Sequence, residues 1–169
     1  MTEQILYDFF ARHGIAHATV EHAAAFTVAE IPPEVFALPG AHVKSLLLID
    51  KANGAKNFWL VIALDATRVD LKGLAGRVGA GKFSFAKAED LLRLLQVTPG
   101  SVTPFALIHD PQHQVRVIIE EDIFNHTHIN GHPMRNTATT TVPMADFRRF
   151  LALCGHPFQT AELASKEAA

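Results

Sequence analysis

Two apolar runs, "VKSLLLID" and "NFWLVIAL", stand six residues apart, joined by "KANGAK". Runs of this length and composition read as strands. Asn53-Gly54 between them is a hairpin signal, because both residue types tolerate the left-handed backbone of a tight reversal. The pair anchors a sheet to which the rest of the chain must attach. A helix is expected over about Glu3 to His13, with Thr2 as its cap, Ile5, Phe9 and Phe10 on one face and Gly14 as the stop. "IAHATVEH" reads as a strand. Thr27 and Glu30 form a capping-box pattern, but Pro32 and Pro33 keep that segment short or kinked. "DLKGLAGRVG" and "KAEDLLRLLQ" read as helices with "KFSFA" between them. "FALIHD" and "VRVIIEED" read as strands about an Asp110-Pro111 turn, and "TATTTVP" as a further strand. A last helix, Met144 to Cys154, spaces Phe147, Phe150, Leu151 and Cys154 for burial before Gly155 and Pro157 end it. Hairpins and short helical connections predict an α+β fold, with a curved, mainly antiparallel mixed sheet resembling an open barrel and flanked by helices.

At 169 residues, 49% hydrophobic and 19% charged, the chain suits one domain with a sizeable core, expected over residues 1–160, followed by a flexible tail over 161–169. The opening "MTEQILYDFFARHG" does not read as a signal peptide, and no run reaches the roughly 18 apolar residues of a membrane span. A cytoplasmic protein without a membrane partner is the expectation. Cys154 is the single cysteine, so no intrachain disulfide can form, and packing is its expected role. A net charge of -2 argues against broad binding along a nucleic-acid backbone, and no DNA partner is expected. Between residues 68 and 93, Arg68, Lys72, Arg77, Lys82, Lys87 and Arg93 face only Asp70, Glu89 and Asp90, a solvated face or a local phosphate contact.

Three stretches carry candidate chemistry. In "VTPGSVTPFALI", Gly100 lets the backbone approach a ligand and Pro104 fixes the far end. The N–H groups of Ser101, Val102 and Thr103 are then expected to point at an oxygen atom, although the pattern also fits an ordinary turn. In "NGHPMRNTATTTV", polar groups converge where a strand begins. Lys44 shares a strand face with Leu46 and Leu48, either as an edge residue or as a cation placed to hold an anion. His126 and His128 would share a strand face, but no third metal ligand stands at a recognisable spacing, and no metal or cofactor is expected. There is no Ser-His-Asp pattern and no H-E-x-x-H.

Taken together, "EHAAAFTVAE", "LPGAHVKSLLLID", "LLQVTPGSVTPFALIHD" and "GHPMRNTATTTV" resemble the aminoacyl-tRNA deacylases of the YbaK/ProX superfamily, which are related to the insertion domain of bacterial prolyl-tRNA synthetases. The similarity is strongest to ProX-like Ala-tRNA(Pro) deacylases and runs from about Thr2 to Phe158. It sets Lys44 on the family's lysine, Gly100 and Pro104 on its GxxxP loop, and His132, Pro133, Asn136 and Thr137 in its HPxxNTAT segment. Two positions depart: Ser45 where the family often has Asn, and Gly131 where it often has a bulky residue.

The resemblance implies hydrolysis of a misplaced amino acid from tRNA(Pro), alanine first and cysteine as the alternative, by water attack without metal or covalent nucleophile. Lys44 and Gly100 to Pro104 would carry the chemistry, and Ser45, Gly131, His132, Pro133, Asn136 and Thr137 would bind substrate. The acceptor end of aminoacylated tRNA(Pro), and prolyl-tRNA synthetase, are the implied partners. A non-catalytic module binding aminoacyl-tRNA or an amino acid, and a metal-dependent hydrolase, stay open from the residues alone.

Overall fold

The computed structural model describes residues 2–164. The expected hairpin is its centre. Strands β2 (Ala41–Asp50) and β3 (Asn57–Leu64) pair antiparallel over eight residue pairs, from Val43↔Leu64 to Asp50↔Asn57. Asn53 and Gly54 at the reversal have φ of 57° and 72°. Around this pair the chain builds an eight-stranded mixed sheet with β1 (Ala18–Glu21), β4 (Ser84–Phe85), β5 (Val115–Glu120), β6 (His128–Gly131), β7 (Ala138–Pro143) and β8 (Phe158–Ala161). The order is β1-β7-β6-β2-β3-β5-β8, with β4 paired to β2. Four of its seven pairings are antiparallel, while β2–β6, β3–β5 and β5–β8 are parallel.

β3 lies between two strands and is apolar almost throughout, because both its faces are covered. Leu60 and Ile62 face a larger core packed by helices α1 (Thr2–His13), α4 (Ala88–Leu95) and α5 (Met144–Cys154). Trp59, Val61 and Ala63 face a smaller core closed by Leu74 of α3 (Leu71–Val78), Phe83 and Leu163. The helices contribute the expected stripes, with one shift: α1 buries Leu6 and Phe10 and leaves Ile5 exposed.

Three other expectations change. "FALIHD" is no strand but a 3-10 segment, Pro104–His109. Pro104 stands at its first position, where a missing N–H costs nothing, and Phe105, Ala106 and Leu107 are all buried, so there is no alternation for a strand face to use. At Thr27 no side-chain cap forms; Glu30 instead accepts from the Phe26 amide at 2.8 Å, ahead of the one-turn helix α2 (Pro33–Phe36). The chain is also not loose from Ala161: Leu163 is buried, its carbonyl accepts from the Asp70 amide at 2.9 Å, and Ala164 bridges Val69. The Thr2 side chain, expected as a cap, and residues 165–169 of the expected tail lie outside the described residues.

Asp50 is the polar fixture of the hairpin. Its carboxylate accepts from Trp59 Nε1 at 2.6 Å, the Ala52 amide at 2.8 Å and Asn57 Nδ2 at 3.1 Å, all inside the protein. Burial alone would raise its pKa, but these donors and the Gly81 amide hold it below the ordinary Asp value. Asp50→Ala would leave the buried indole N–H without an acceptor and is expected to lower stability by about 1–3 kcal/mol in urea unfolding. A depressed carboxyl pKa stabilises the fold above the unfolded value and loses that contribution as pH falls through the folded one. The gap between wild type and variant should therefore narrow below about pH 4.

Candidate active site

The first residues of β2, the 25–31 segment, the loop at Pro99–Val102 and the end of β6 enclose a cavity of about 450 Å³. This is within the range of sites for small ligands. Lys44, Ser45, Gly100, Val102, Gly131 and His132 line it, so the three stretches singled out from the sequence meet in space. Ser101, Thr103, Pro104, Pro133, Asn136 and Thr137 do not line it and stand behind its walls.

The β2 wall enters the cavity through a tight approach. Gly40 has φ +98°, and a Cβ there would lie 2.3 Å from the His128 carbonyl oxygen, so only glycine lets β2 start beside β6. Asn130, buried, donates to the carbonyls of Pro39 at 2.9 Å and Ala41 at 3.2 Å and accepts from Thr141 Oγ1 at 2.5 Å, locking the same junction. Lys44, half-buried, donates to the Asp65 carbonyl at 3.3 Å. Ser45 Oγ is buried with no hydrogen-bond partner among the described residues.

The GxxxP loop is an entry into the 3-10 segment. Gly100 has φ +88°, and a Cβ would come within 2.9 Å of the Phe26 ring. The three-amide cradle does not form as expected: the Ser101 amide donates to the Thr98 carbonyl at 3.0 Å, closing a local turn. Thr103, buried, caps the segment by accepting from the Phe105 amide at 3.4 Å, and Pro104 packs inside. Val102 is the residue of the three that lines the cavity, and its amide has no partner among the described residues. Gly131 faces this loop from β6. A Cβ there would lie 3.3 Å from the Phe105 ring and 3.5 Å from Thr103 Oγ1, so a bulky residue would push strand and loop apart.

His132 donates from Nδ1 to the Ala138 carbonyl at 3.2 Å, since a carbonyl can only accept; this leaves Nε2 as the acceptor of a neutral ring. Burial holds its pKa below the ordinary His value, helped by nearby His22 and opposed by the Ala138 bond and Asp65. The rest of its motif is scaffold. Arg135 donates to Glu3, to both Glu21 oxygens at 2.7 and 2.5 Å, and to Thr137 Oγ1 at 2.8 Å, tying the loop to α1 and β1. Asn136 Nδ2 donates to the Ala25 carbonyl at 3.5 Å and lies beside Gly100.

Sequence reasoning missed several lining residues. His22 donates from Nδ1 to the Ala23 carbonyl at 2.8 Å and accepts through Nε2 from Thr139 Oγ1 at 2.9 Å. Phe26, 69% exposed, and Phe85 stand on the cavity's apolar side. Asp65 follows β3 directly, and burial pushes its carboxyl above the ordinary Asp value against the pull of His42, Lys44 and His132. Hairpin register was the signal for Asp65. Val43↔Leu64 sets the next residues outward, His42 and Asp65, opposite each other, and the Asp65 amide donates to the His42 carbonyl at 2.8 Å.

The aminoacyl-tRNA editing domain, as a family model, matches residues 22–150, more than half of the chain and all of the cavity lining. The chain belongs to the aminoacyl-tRNA editing domain family. Among curated relatives of this editing domain, "Prolyl-tRNA synthetase associated domain-containing protein 1" of Danio rerio is 36% identical over 89% of this chain and 82% of its own. "Prolyl-tRNA editing protein ProX" of Acetoanaerobium sticklandii is 30% identical over 88% and 90%. A crystal structure of a candidate trans-editing enzyme for prolyl tRNA synthetase superposes with TM-score 0.71 at 21% identity, covering 97% of both chains, and shares the fold. The family and the mixed-sheet fold expected from Lys44, the GxxxP loop and the His132 motif are thus those found.

Elsewhere in the editing domain, burial pushes the Cys154 thiol up to about 12, which suits packing and not nucleophilic chemistry. His126 precedes β6 and does not share its face with His128, and among the described residues no group of three or more His, Cys, Asp or Glu is placed to hold a metal ion. No described helix is long and apolar enough to cross a membrane. In the basic stretch, Arg93 pairs with Asp90 at 3.4 Å and Arg77 donates to the Glu162 carbonyl at 2.8 Å.

His132 gives a direct check on the site. Its NMR titration is expected to have a midpoint below the ordinary value of about 6.5. Because its folded pKa is lowered, the unfolded chain binds more protons on acidification. The ring's contribution to stability is then full above the unfolded value and lost as pH falls from there through the folded one. A midpoint at or above 6.5 would contradict the buried neutral ring.

Proposed function

We propose that this editing domain hydrolyses the ester joining a misplaced amino acid to the terminal adenosine of tRNA(Pro), with alanine as the amino acid. The observation that carries the reading is the meeting of Lys44, Val102 and His132 in the lining of one cavity, brought there from three distant stretches. Membership of the editing family and the 30% identity to a protein named for prolyl-tRNA editing support the tRNA.

In the proposed reaction a water oxygen attacks the ester carbonyl carbon, the carbon–oxygen bond to the ribose breaks, and the ribose oxygen leaves with a proton. The Val102 amide faces the developing oxyanion; one such donor is worth a factor of roughly 10² to 10³. His132, neutral with Nε2 as acceptor, holds the water or a ribose hydroxyl. Lys44 binds the phosphate or ribose of the adenosine, which keeps its ammonium off the reacting carbon. Because an aminoacyl ester is already activated, orientation and one or two donors are enough. In this reading selection is by size, the methyl side chain of alanine being accepted and the pyrrolidine ring of proline rejected.

Single-turnover deacylation of Ala-, Cys-, Ser- and Pro-tRNA(Pro), with and without EDTA, tests this. Alanine is expected to be released fastest, proline slowest, and EDTA to have no effect. Lys44→Ala should lose about ten- to hundredfold with only a small loss in melting temperature, as expected for a lost charged hydrogen bond. Faster release of cysteine would reassign the amino acid. Tight binding without release would make the domain a non-catalytic reader, and loss of activity in EDTA would make it a metal-dependent hydrolase.

A further inference from the structure

We propose that Asp65 is the receptor for the α-ammonium group of the aminoacyl ester, so that the cavity reads the free amino group as well as the side chain. The inference rests on the ester reading above and names a residue that it leaves unused.

Asp65 lines the cavity on a turn that is held at every point. Its amide donates to the His42 carbonyl at 2.8 Å and its carbonyl accepts from Lys44 Nζ at 3.3 Å. Glu120, buried, accepts from the Leu64 amide and from Thr67 Oγ1, both at 2.7 Å, on either side of Asp65. The carboxylate therefore projects from a fixed backbone.

Its oxygens nevertheless have no hydrogen-bond or ion-pair partner among the described residues. Asp65 itself is half-buried and lines the cavity, unlike Asp50, Asp90, Asp110 and Glu120, which are buried and each accept at least two bonds within the protein. Nor does the neighbouring cation satisfy Asp65, because Lys44 is tied to its carbonyl oxygen and no ion pair joins the two side chains. Anion and cation thus line one cavity without a direct ion pair between them. An aminoacyl-adenosine end carries the complementary pair, an ammonium on the amino acid and a phosphate on the nucleotide. The other groups facing Asp65 are His42, whose Nε2 donates to the Leu38 carbonyl at 2.9 Å, and His132, whose Nδ1 donates to the Ala138 carbonyl at 3.2 Å. Burial raises the Asp65 carboxyl, and an arriving ammonium would reverse that by supplying the missing partner.

The rival role is general base toward the attacking water. The two separate on a substrate whose amine is blocked. Wild type and Asp65→Asn are compared in single-turnover deacylation of Ala-tRNA(Pro) and N-acetyl-Ala-tRNA(Pro), with thermal unfolding of both proteins as the check on folding. The wild type is expected to prefer the free amine. Asp65→Asn should lose about ten- to hundredfold on Ala-tRNA(Pro) and stay within about twofold on the acetylated ester, so that the preference collapses. Equal loss on both substrates, or on neither, would overturn the proposal. If the wild type releases neither amino acid, the ester reading fails by itself. Asp65 is then judged by calorimetric binding of 3′-alanylamino-adenosine and its N-acetyl form: a tenfold or greater penalty for acetylation in the wild type, absent in Asp65→Asn, upholds the receptor role, and equal affinities overturn it.

Discussion

Everything at the site depends on the register of one antiparallel pair. With Lys44 opposite Ala63 and Val43 opposite Leu64, the strand pairing ends just where His42 and Asp65 reach the cavity. A slip of one residue would exchange the faces of Lys44 and Ser45 and carry Trp59 away from Asp50. The register is therefore enforced twice. At the turn, Asp50 binds Trp59 and Asn57 across the pair; at the open end, the Asp65 amide binds the His42 carbonyl and Lys44 binds the Asp65 carbonyl. The apolar faces add to this, since each side of β3 fills a different core.

Missing side chains shape the opposite wall. Gly40, Gly100 and Gly131 each face a close neighbour: the His128 carbonyl, the Phe26 ring and the Phe105 ring. They bring β2, the GxxxP loop and β6 together around a space of about 450 Å³. The polar residues of the HPxxNTAT segment then act mainly behind that wall. Arg135 and Asn136 bind to α1, β1 and the Ala25 region, leaving His132 as the member that presents a free ring nitrogen.

Much of this could be read in advance where local patterning dominates. The hairpin, β7 and the helices α3 to α5 follow from apolar runs and turn residues, and Lys44, Gly100 and His132 from motifs. The failures have physical causes. In "FALIHD" Phe105, Ala106 and Leu107 are buried in succession, so the apolar run carries no period that separates a strand from a tight helical turn. The Ser101 amide was misjudged because its acceptor is the Thr98 carbonyl, a bond that depends on the loop's backbone path. His22 reaches the cavity through β1–β7 pairing between distant segments, which no local pattern announces. Asp65 was within reach, since counting outward from Asn53-Gly54 places it opposite His42.

Docking of an aminoacyl-adenosine end in the cavity is read by amide chemical-shift mapping with 3′-alanylamino-adenosine, a non-hydrolysable ester mimic. Saturable shifts are expected at Gly100, Val102, Gly131 and the Asp65 turn, with none across α5. Shifts confined to the basic stretch from Arg68 to Arg93, with the cavity amides unmoved, would contradict it.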